Sequence, residues 1–425
     1  MVRTIRPARV SGTVRIPGSK SHTIRALIIA TLADGVSTIL DPLDSSDTRS
    51  CIAACGAFGA EIAEYPRKLV VKGTAGGLAT PDNVVDVGNS GTTLYLLTAA
   101  AALQENWVVF TGDSQIRSRP AGPLLSSLND LGASAFSTRK QGMPPYVVGG
   151  MLKGGRTSIS CPTSQFLSGL LLAAPLAGGD TEISVPLLNE KPYVEITLSW
   201  LDRQGITNEN DNFKRFFVPG GQKYSPFTRS IPGDFSSATF FLCAAAVCGS
   251  TLTVEGLDFN DPQGDKAVVG MLETFGCKCD RTSTGLTIHG GKLAGCDIDL
   301  NATPDALPAL AVTACFAEGT TRLTNVPQAR LKETDRITVV REELEKMGAN
   351  IEETRDGLII RGRTTNGKPP LKGARVDGRG DHRVVMALAI AALASAGETV
   401  IEGAEAADVT FPEFFELLTS VTEGE

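Results

Sequence analysis

Along this chain a short polar head repeatedly runs into an apolar, alanine-rich body. The first head is Gly18-Ser19-Lys20-Ser21-His22-Thr23-Ile24-Arg25, and its body covers residues 26–33. That body is hydrophobic nearly all round, so the pattern predicts a buried helix, with Ser21 in position to cap it. Five further heads have the same character: Asn89-Ser90-Gly91-Thr92-Thr93, Thr163-Ser164-Gln165, Asp234-Phe235-Ser236-Ser237, Pro304-Asp305-Ala306 and Asp381-His382-Arg383. Each body then enters a short Thr/Val/Ile/Leu run that reads as a strand, such as residues 37–40 and 399–401.

A second series fixes the period. Gly59, Gly132, Gly205, Gly276 and Gly348 each close a helix of mixed, surface type, at spacings of 73, 73, 71 and 72 residues. Glycine in such a place suits a left-handed helix C-cap. Strand-like segments follow, so the unit is strand, buried helix, strand, outer helix, hairpin. Regular recurrence at this length is internal duplication.

Six units over 425 residues divide into two lobes of three. The sixth outer helix, near residues 411–418, has no hairpin after it. Residues 4–10 and 12–16 have strand character and are expected to complete that last unit. One lobe is then discontinuous, residues 1–17 with 231–425, and residues 18–230 form the other. The crossings are expected near Ser11-Gly12 and near residues 229–233. Two adjacent crossings would act as a hinge.

A net charge of −7 argues against a nucleic-acid partner. No apolar run is long enough to span a bilayer. Nine cysteines, several inside apolar helix bodies, read as buried thiols in a reducing, cytoplasmic setting. None has partners at metal-binding spacing, so no metal is expected.

Charge is concentrated at the heads and in three loops. Residues 115–120 carry Arg117 and Arg119, residues 330–336 carry five charges, and residues 379–383 carry Arg379, His382 and Arg383. If the heads converge, Lys20, Arg25, Arg119, Lys332, Arg336 and Arg383 face one cleft. Such a cluster asks for phosphate and carboxylate ligands. Asp305 and Glu333 in that setting suit proton transfer. His22 reads equally well as a surface residue, while for His382 a helix cap and for Tyr193 simple packing stand as the lesser alternatives to a site role.

Ser19-Lys20-Ser21-x3-Arg25, Asn89-Ser90-Gly91-Thr92, Arg119-Pro120, Ser164-Gln165, Pro304-Asp305, Lys332-Glu333-Thr334-Asp335-Arg336, Asp381-His382-Arg383 and Thr410-Phe411-Pro412 occur in that order. Together they resemble the EPSP synthases (3-phosphoshikimate 1-carboxyvinyltransferases), over essentially the whole chain. The resemblance implies an α/β enolpyruvyl transferase fold: a two-lobed inverse α/β barrel of six βαβαββ-type units, three per lobe. It implies transfer of the enolpyruvyl group of phosphoenolpyruvate to the 5-hydroxyl of shikimate 3-phosphate. The reaction passes through a tetrahedral intermediate without metal or organic cofactor, in a monomer. Carried over by motif, Lys20, Ser21, Arg25, Thr163, Ser164, Gln165, Tyr193, Asp305, Gln328 and Lys332 would hold shikimate 3-phosphate. Lys20, Gly91, Arg119, Gln165, Arg336 and Arg383 would hold phosphoenolpyruvate. Asp305 would take the hydroxyl proton and Glu333 serve the methylene carbon, with Lys20, Lys332 and His382 assisting. Cationic heads facing one cleft would repel each other until an anion lies between them, so the lobes are expected to close on shikimate 3-phosphate, and the resemblance also implies a target for glyphosate.

The chain departs from that pattern in places. Tyr95 stands where many members carry arginine, and Val409 where many carry a lysine that reaches phosphoenolpyruvate. Glu190 and Gln328 replace other polar residues. Two alternatives follow: a UDP-N-acetylglucosamine enolpyruvyl transferase, and an impaired phosphometabolite-binding relative. The first usually has a reactive cysteine where this chain has Ser114; the second is opposed by intact Lys20, Asp305 and Glu333.

Overall fold

The computed structural model of the chain describes residues 1–362 and 369–422. The second repeat shows the unit most plainly. Strand Val85–Asp86 leads into the buried helix Gly91–Ala101, then strand Val108–Thr111, the outer helix Gly122–Asp130, and the hairpin strands Ser134–Ser137 and Tyr146–Gly149. The strands before and after the buried helix pair in parallel, and the hairpin adds two antiparallel strands. The parallel pair needs a crossover helix, and the buried helix supplies it. Among the described residues there are five four-stranded sheets of this plan and one three-stranded sheet. The chain has the α/β fold that the repeats imply.

The other buried helices are Lys20–Leu32, Ser164–Ala173, Phe235–Val247, Leu307–Cys315 and His382–Leu393. In Lys20–Leu32 every residue from His22 on is buried, as its nearly uniform apolar surface requires. Its N-cap is Ser19 rather than Ser21. Ser19 is extended and makes no side-chain cap, while the Thr23 hydroxyl donates to the Ser19 carbonyl at 2.8 Å. The apolar body sets the helix phase, and Lys20 and Ser21 already lie in its first turn.

The chain forms two compact units, residues 1–17 with those from 232 on, and residues 18–231. Each has its own hydrophobic core. Ile231 stays with the second unit, where its N–H donates to the Leu40 carbonyl at 2.9 Å. Ser11 and Gly12 lie within the first unit and make a turn there, Gly12 at φ +87°.

The N-terminal strands part company. Val2–Ile5 pairs with Thr399–Glu402 and extends the sixth repeat. Thr13–Arg15 instead lies parallel to Thr251–Glu255, in the sheet of the fourth. The reason is a vacancy. The strand that immediately precedes the fourth buried helix in sequence, Thr228–Ser230, is parallel to Val36–Leu40 in the first repeat's sheet. Each unit therefore takes its missing crossover strand from the segment that leads, in sequence, into the other.

All five period-marking glycines have left-handed backbone: Gly59 at φ +98°, Gly132 at +92°, Gly205 at +68°, Gly276 at +109° and Gly348 at +93°. A Cβ on Gly348 would meet nothing within 4 Å, so the residue is required for its conformation and not for space. The sixth outer helix runs Phe414–Val421, three residues later than the sequence pattern places it. Among the described residues no helix is long and apolar enough to cross a membrane.

Gly348→Ala tests the conformational argument. It forces an L side chain into the left-handed region at a cost of about 1–2 kcal/mol. For a unit of this size, where about 1 kcal/mol moves the midpoint by about 2–4 °C, that should lower the thermal midpoint by about 2–8 °C in calorimetry. An unchanged midpoint would mean the helix end relaxes freely.

Candidate active site

In the unit of residues 18–231 the predicted groups fall into three clusters. Lys20, first residue of its helix, pairs with buried Asp47 at 2.9 Å. Asp47 sits in the first turn of helix Ser46–Ala57, whose capping box (Ser45 with Thr48) fixes that turn. Sequence reading missed Asp47. Its partner Lys20 lies 27 positions away, and no local signal marks the pair.

Arg25 is the second cluster. It is 1% exposed and donates to Thr197 Oγ1 at 2.8 Å, to the Ser21 and Tyr193 carbonyls at 3.0 Å each, and to Ser168 Oγ at 3.3 Å. Every one of these acceptors is neutral. Burial accordingly pulls its pKa down to about 10, against a smaller opposing effect of Tyr193. A buried guanidinium held only by neutral acceptors keeps its full charge for a ligand. His22, three residues before it in the same helix, is not a surface residue. It is buried, and Trp200 Nε1 donates to its Nδ1 at 3.0 Å.

The third cluster joins the second and third buried helices. Ser90 caps Gly91–Ala101, so Gly91 is its first residue. A Cβ on Gly91 would lie 2.3 Å from Arg119 Nη1 and 3.7 Å from Gln165 Oε1. Gln165 Nε2 donates to Thr92 Oγ1 at 3.1 Å. Gly91, Thr92, Arg119 and Gln165 thus share one small region, and the missing Cβ is what lets the guanidinium approach. Tyr95 is buried beneath it. Its hydroxyl donates to the Pro120 carbonyl at 2.9 Å, and its ring meets Phe166 edge-on at 4.9 Å. Thr163 and Ser164 head the third helix, where Glu190 accepts from both.

The other unit holds the carboxylates. Arg336, 1% exposed, donates to Asp305 at 2.7 Å, to Glu333, and to Asp381 through Nε at 2.8 Å. Asp381 takes a second bond from Nη2 at 3.2 Å, accepts from Thr334 Oγ1 at 3.1 Å, and caps the sixth helix through Arg383 N. Arg383 Nη2 reaches the other oxygen of Asp305 at 3.0 Å. For Asp305 burial acts upward, but Arg383, Lys332 and Arg336 outweigh it and hold the carboxyl far below its ordinary range. For Arg336 burial acts downward, and Asp381, Glu333 and Asp305 outweigh it and hold the guanidinium charged. Buried His382 and Asp381 and half-buried Glu333 bring ligand-type atoms within 4.8 Å of one another. The Arg336 guanidinium already bonds both carboxylates there, so the group reads as an ion-pair cluster and not a metal centre. Gln328 is buried, its amide donating to the Asn301 carbonyl at 3.0 Å.

One expectation needs correction. The helix heads are not uniformly open to anions. Asp234 caps the fourth, Asp381 the sixth, and Glu190 takes the Ser164 N–H at the third. Apolar flanks force polarity to the ends, and at these three ends the chain supplies its own carboxylate.

The sequence profile described as EPSP synthase (3-phosphoshikimate 1-carboxyvinyltransferase) matches residues 5–418. The chain belongs to the EPSP synthase family. A 3-phosphoshikimate 1-carboxyvinyltransferase of Acetivibrio thermocellus is 54% identical over 99% of this chain and 98% of its own length. One from Methanocella arvoryzae is 46% identical over 98% and 97%. A solved EPSP synthase structure from Acinetobacter baumannii superposes with a TM-score of 0.84 at 28% identity, covering 99% of this chain and 98% of that one. Tyr95, through its bond to the Pro120 carbonyl, ties down the backbone next to Arg119. Val409 ends the short turn Ala404–Val409 and is half-buried.

Asp305 gives a test. A carboxyl whose folded pKa lies below its ordinary 3.8 contributes stability above that value and loses it as pH falls further. Asp305→Asn should therefore lower the thermal midpoint at neutral pH, and the gap to the parent protein should narrow below about pH 4. A gap that stays constant down to about pH 2.5 would remove the ion pairing from the account.

Proposed function

We propose that the chain transfers the enolpyruvyl group of phosphoenolpyruvate to the 5-hydroxyl of shikimate 3-phosphate and releases phosphate. It does so as a cytoplasmic monomer acting on small anions. Besides family membership, the observation that carries this reading is the set formed by Arg336, Arg383, Asp305 and Glu333. It places two candidate proton-transfer carboxylates on the same guanidinium.

In the addition step the 5-hydroxyl oxygen bonds to C2 of phosphoenolpyruvate while C3 gains a proton. In the elimination step C3 loses a proton and the C2–phosphate bond breaks. Asp305 is assigned the hydroxyl proton and Glu333 the C3 proton, with Lys20, Lys332 and His382 stabilising charge. Arg25, with Thr163, Ser164, Tyr193, Ser21 and Gln328, is assigned to shikimate 3-phosphate. Arg119, beside Gly91 and Gln165, is assigned with Arg336 and Arg383 to phosphoenolpyruvate.

The free protein's geometry adds a consequence. Asp305, far below its ordinary pKa, is a poor base while Arg336 and Arg383 hold it. A phosphoenolpyruvate carboxylate that takes up those arginines weakens that hold and raises the basicity of Asp305. Substrate binding thereby readies the base.

Glu333→Gln should keep shikimate 3-phosphate binding and lose turnover by about two to four decades, the scale of general acid–base catalysis. Phosphate release from the two substrates measures it, and near-normal turnover would remove Glu333 from the mechanism.

Gly91→Ala addresses the other substrate. Its methyl must displace the buried Arg119 guanidinium, since the 2.3 Å approach cannot stand. Glyphosate, the longer anion, should lose more affinity than phosphoenolpyruvate. Inhibition measured against varied phosphoenolpyruvate checks this. Equal loss for both would mean that only the shift of Arg119 matters.

A further inference from the structure

The head of the third buried helix, Ser164–Ala173, already carries an anion. Glu190 is 1% exposed. One of its oxygens, Oε2, accepts from the Ser164 hydroxyl at 2.9 Å, the Ser164 N–H at 3.2 Å and the Thr163 hydroxyl at 3.2 Å. A backbone N–H at the positive end of a helix, flanked by two hydroxyls, is the donor set that suits a phosphate group. Here a carboxylate engages all three donors at once.

The backbone holds it there against preference. Glu190 has φ +59° and ψ +41°, the left-handed region that a residue with a long side chain seldom enters. It stands between strand Thr181–Leu188 and helix Lys191–Arg203. Its carbonyl accepts from Tyr193 N at 3.1 Å, and the Tyr193 carbonyl accepts from Arg25 at 3.0 Å. The turn that aims Glu190 at Thr163 and Ser164 is therefore the turn that holds Arg25.

We propose that Glu190 is a built-in competitor for the phosphate of the substrate, and a specificity-determining residue. Shikimate 3-phosphate gains Thr163 and Ser164 only by displacing the carboxylate, because two anions cannot share these donors in a water-poor pocket. Shikimate without the phosphate has no need to displace it. Glu190 thus narrows the advantage of the phosphorylated ligand over the unphosphorylated one. The inference rests on shikimate 3-phosphate being the substrate.

Calorimetric titration of shikimate 3-phosphate and of shikimate into the parent protein, Glu190→Ser and Glu190→Gln tests it. The serine variant keeps a hydroxyl and loses the charge. It should bind shikimate 3-phosphate at least about tenfold more tightly, a change of about 1.4 kcal/mol, with shikimate affinity within about twofold. The glutamine variant keeps the shape and an acceptor and should shift the same way, which preserves the test if the serine variant fails to fold. Unchanged or weaker shikimate 3-phosphate binding in both variants would make Glu190 a scaffold for the helix head and overturn the proposal alone. Parallel changes for both ligands would overturn it as well. If the parent protein and variants all fail to bind shikimate 3-phosphate, the substrate reading falls and this inference with it.

Discussion

A helix buried on every side has nowhere along its flanks to put a charge. That constraint organises this chain. Six such helices sit inside two cores among the described residues, and their charged side chains fall within the first two turns, while mid-helix hydroxyls such as Thr98, Thr239 and Thr313 donate back to their own helix. The ends hold unsatisfied backbone N–H groups, which need partners once solvent is excluded. Hydroxyls, carboxylates and guanidinium groups therefore gather at the helix heads for structural reasons, and chemistry is built from what gathers there.

The two units meet this need differently. In the unit of residues 1–17 and 232 onward, Asp305, Glu333 and Asp381 stand with Lys332, Arg336 and Arg383, three acids among three bases. Buried charge is tolerable when paired in this way. An anion engaging Arg336 and Arg383 would upset the balance, because these arginines are the ones that hold the carboxylates. In the other unit Lys20 has Asp47, but Arg25 is held by neutral acceptors alone. Among the described residues Arg25 thus keeps its charge without a carboxylate partner. The unit that restrains its charges carries the candidate proton-transfer groups, and the unit that leaves a charge uncompensated carries candidate binding groups.

The repeat was legible because it is written in local signals: an apolar body of helix length, a polar head, and a glycine at the next helix end. Those glycines have the left-handed backbone the spacing suggested, because no other residue takes that conformation without strain. The exchange of strands Thr13–Arg15 and Thr228–Ser230 was not legible. Both segments look alike in sequence, and only the sheet that lacks a parallel partner decides where each goes. Among candidate site residues, those lying in a head or a charged run could be read. Asp47 could not, because its partner is distant in sequence. Nor could the capping role of Glu190, because a glutamate before Lys-Pro gives no sign that a left-handed turn aims it at another helix.

Tyr95 shows how charge and position trade against each other. Read as a letter, it is a lost cation next to the phosphoenolpyruvate residues. Its hydroxyl instead binds the carbonyl of Pro120, one residue beyond Arg119, and its ring packs against Phe166 in the third buried helix. An arginine there would add field strength but would itself need burial and partners. A tyrosine satisfies its single polar atom locally and fixes the backbone that presents Arg119 to Gly91. The Arg119 guanidinium is held where the missing Cβ of Gly91 leaves room for it. A guanidinium already in place loses less entropy when it meets an anion than one that must be ordered first. Tyr95 contributes preorganisation at this head and no charge of its own.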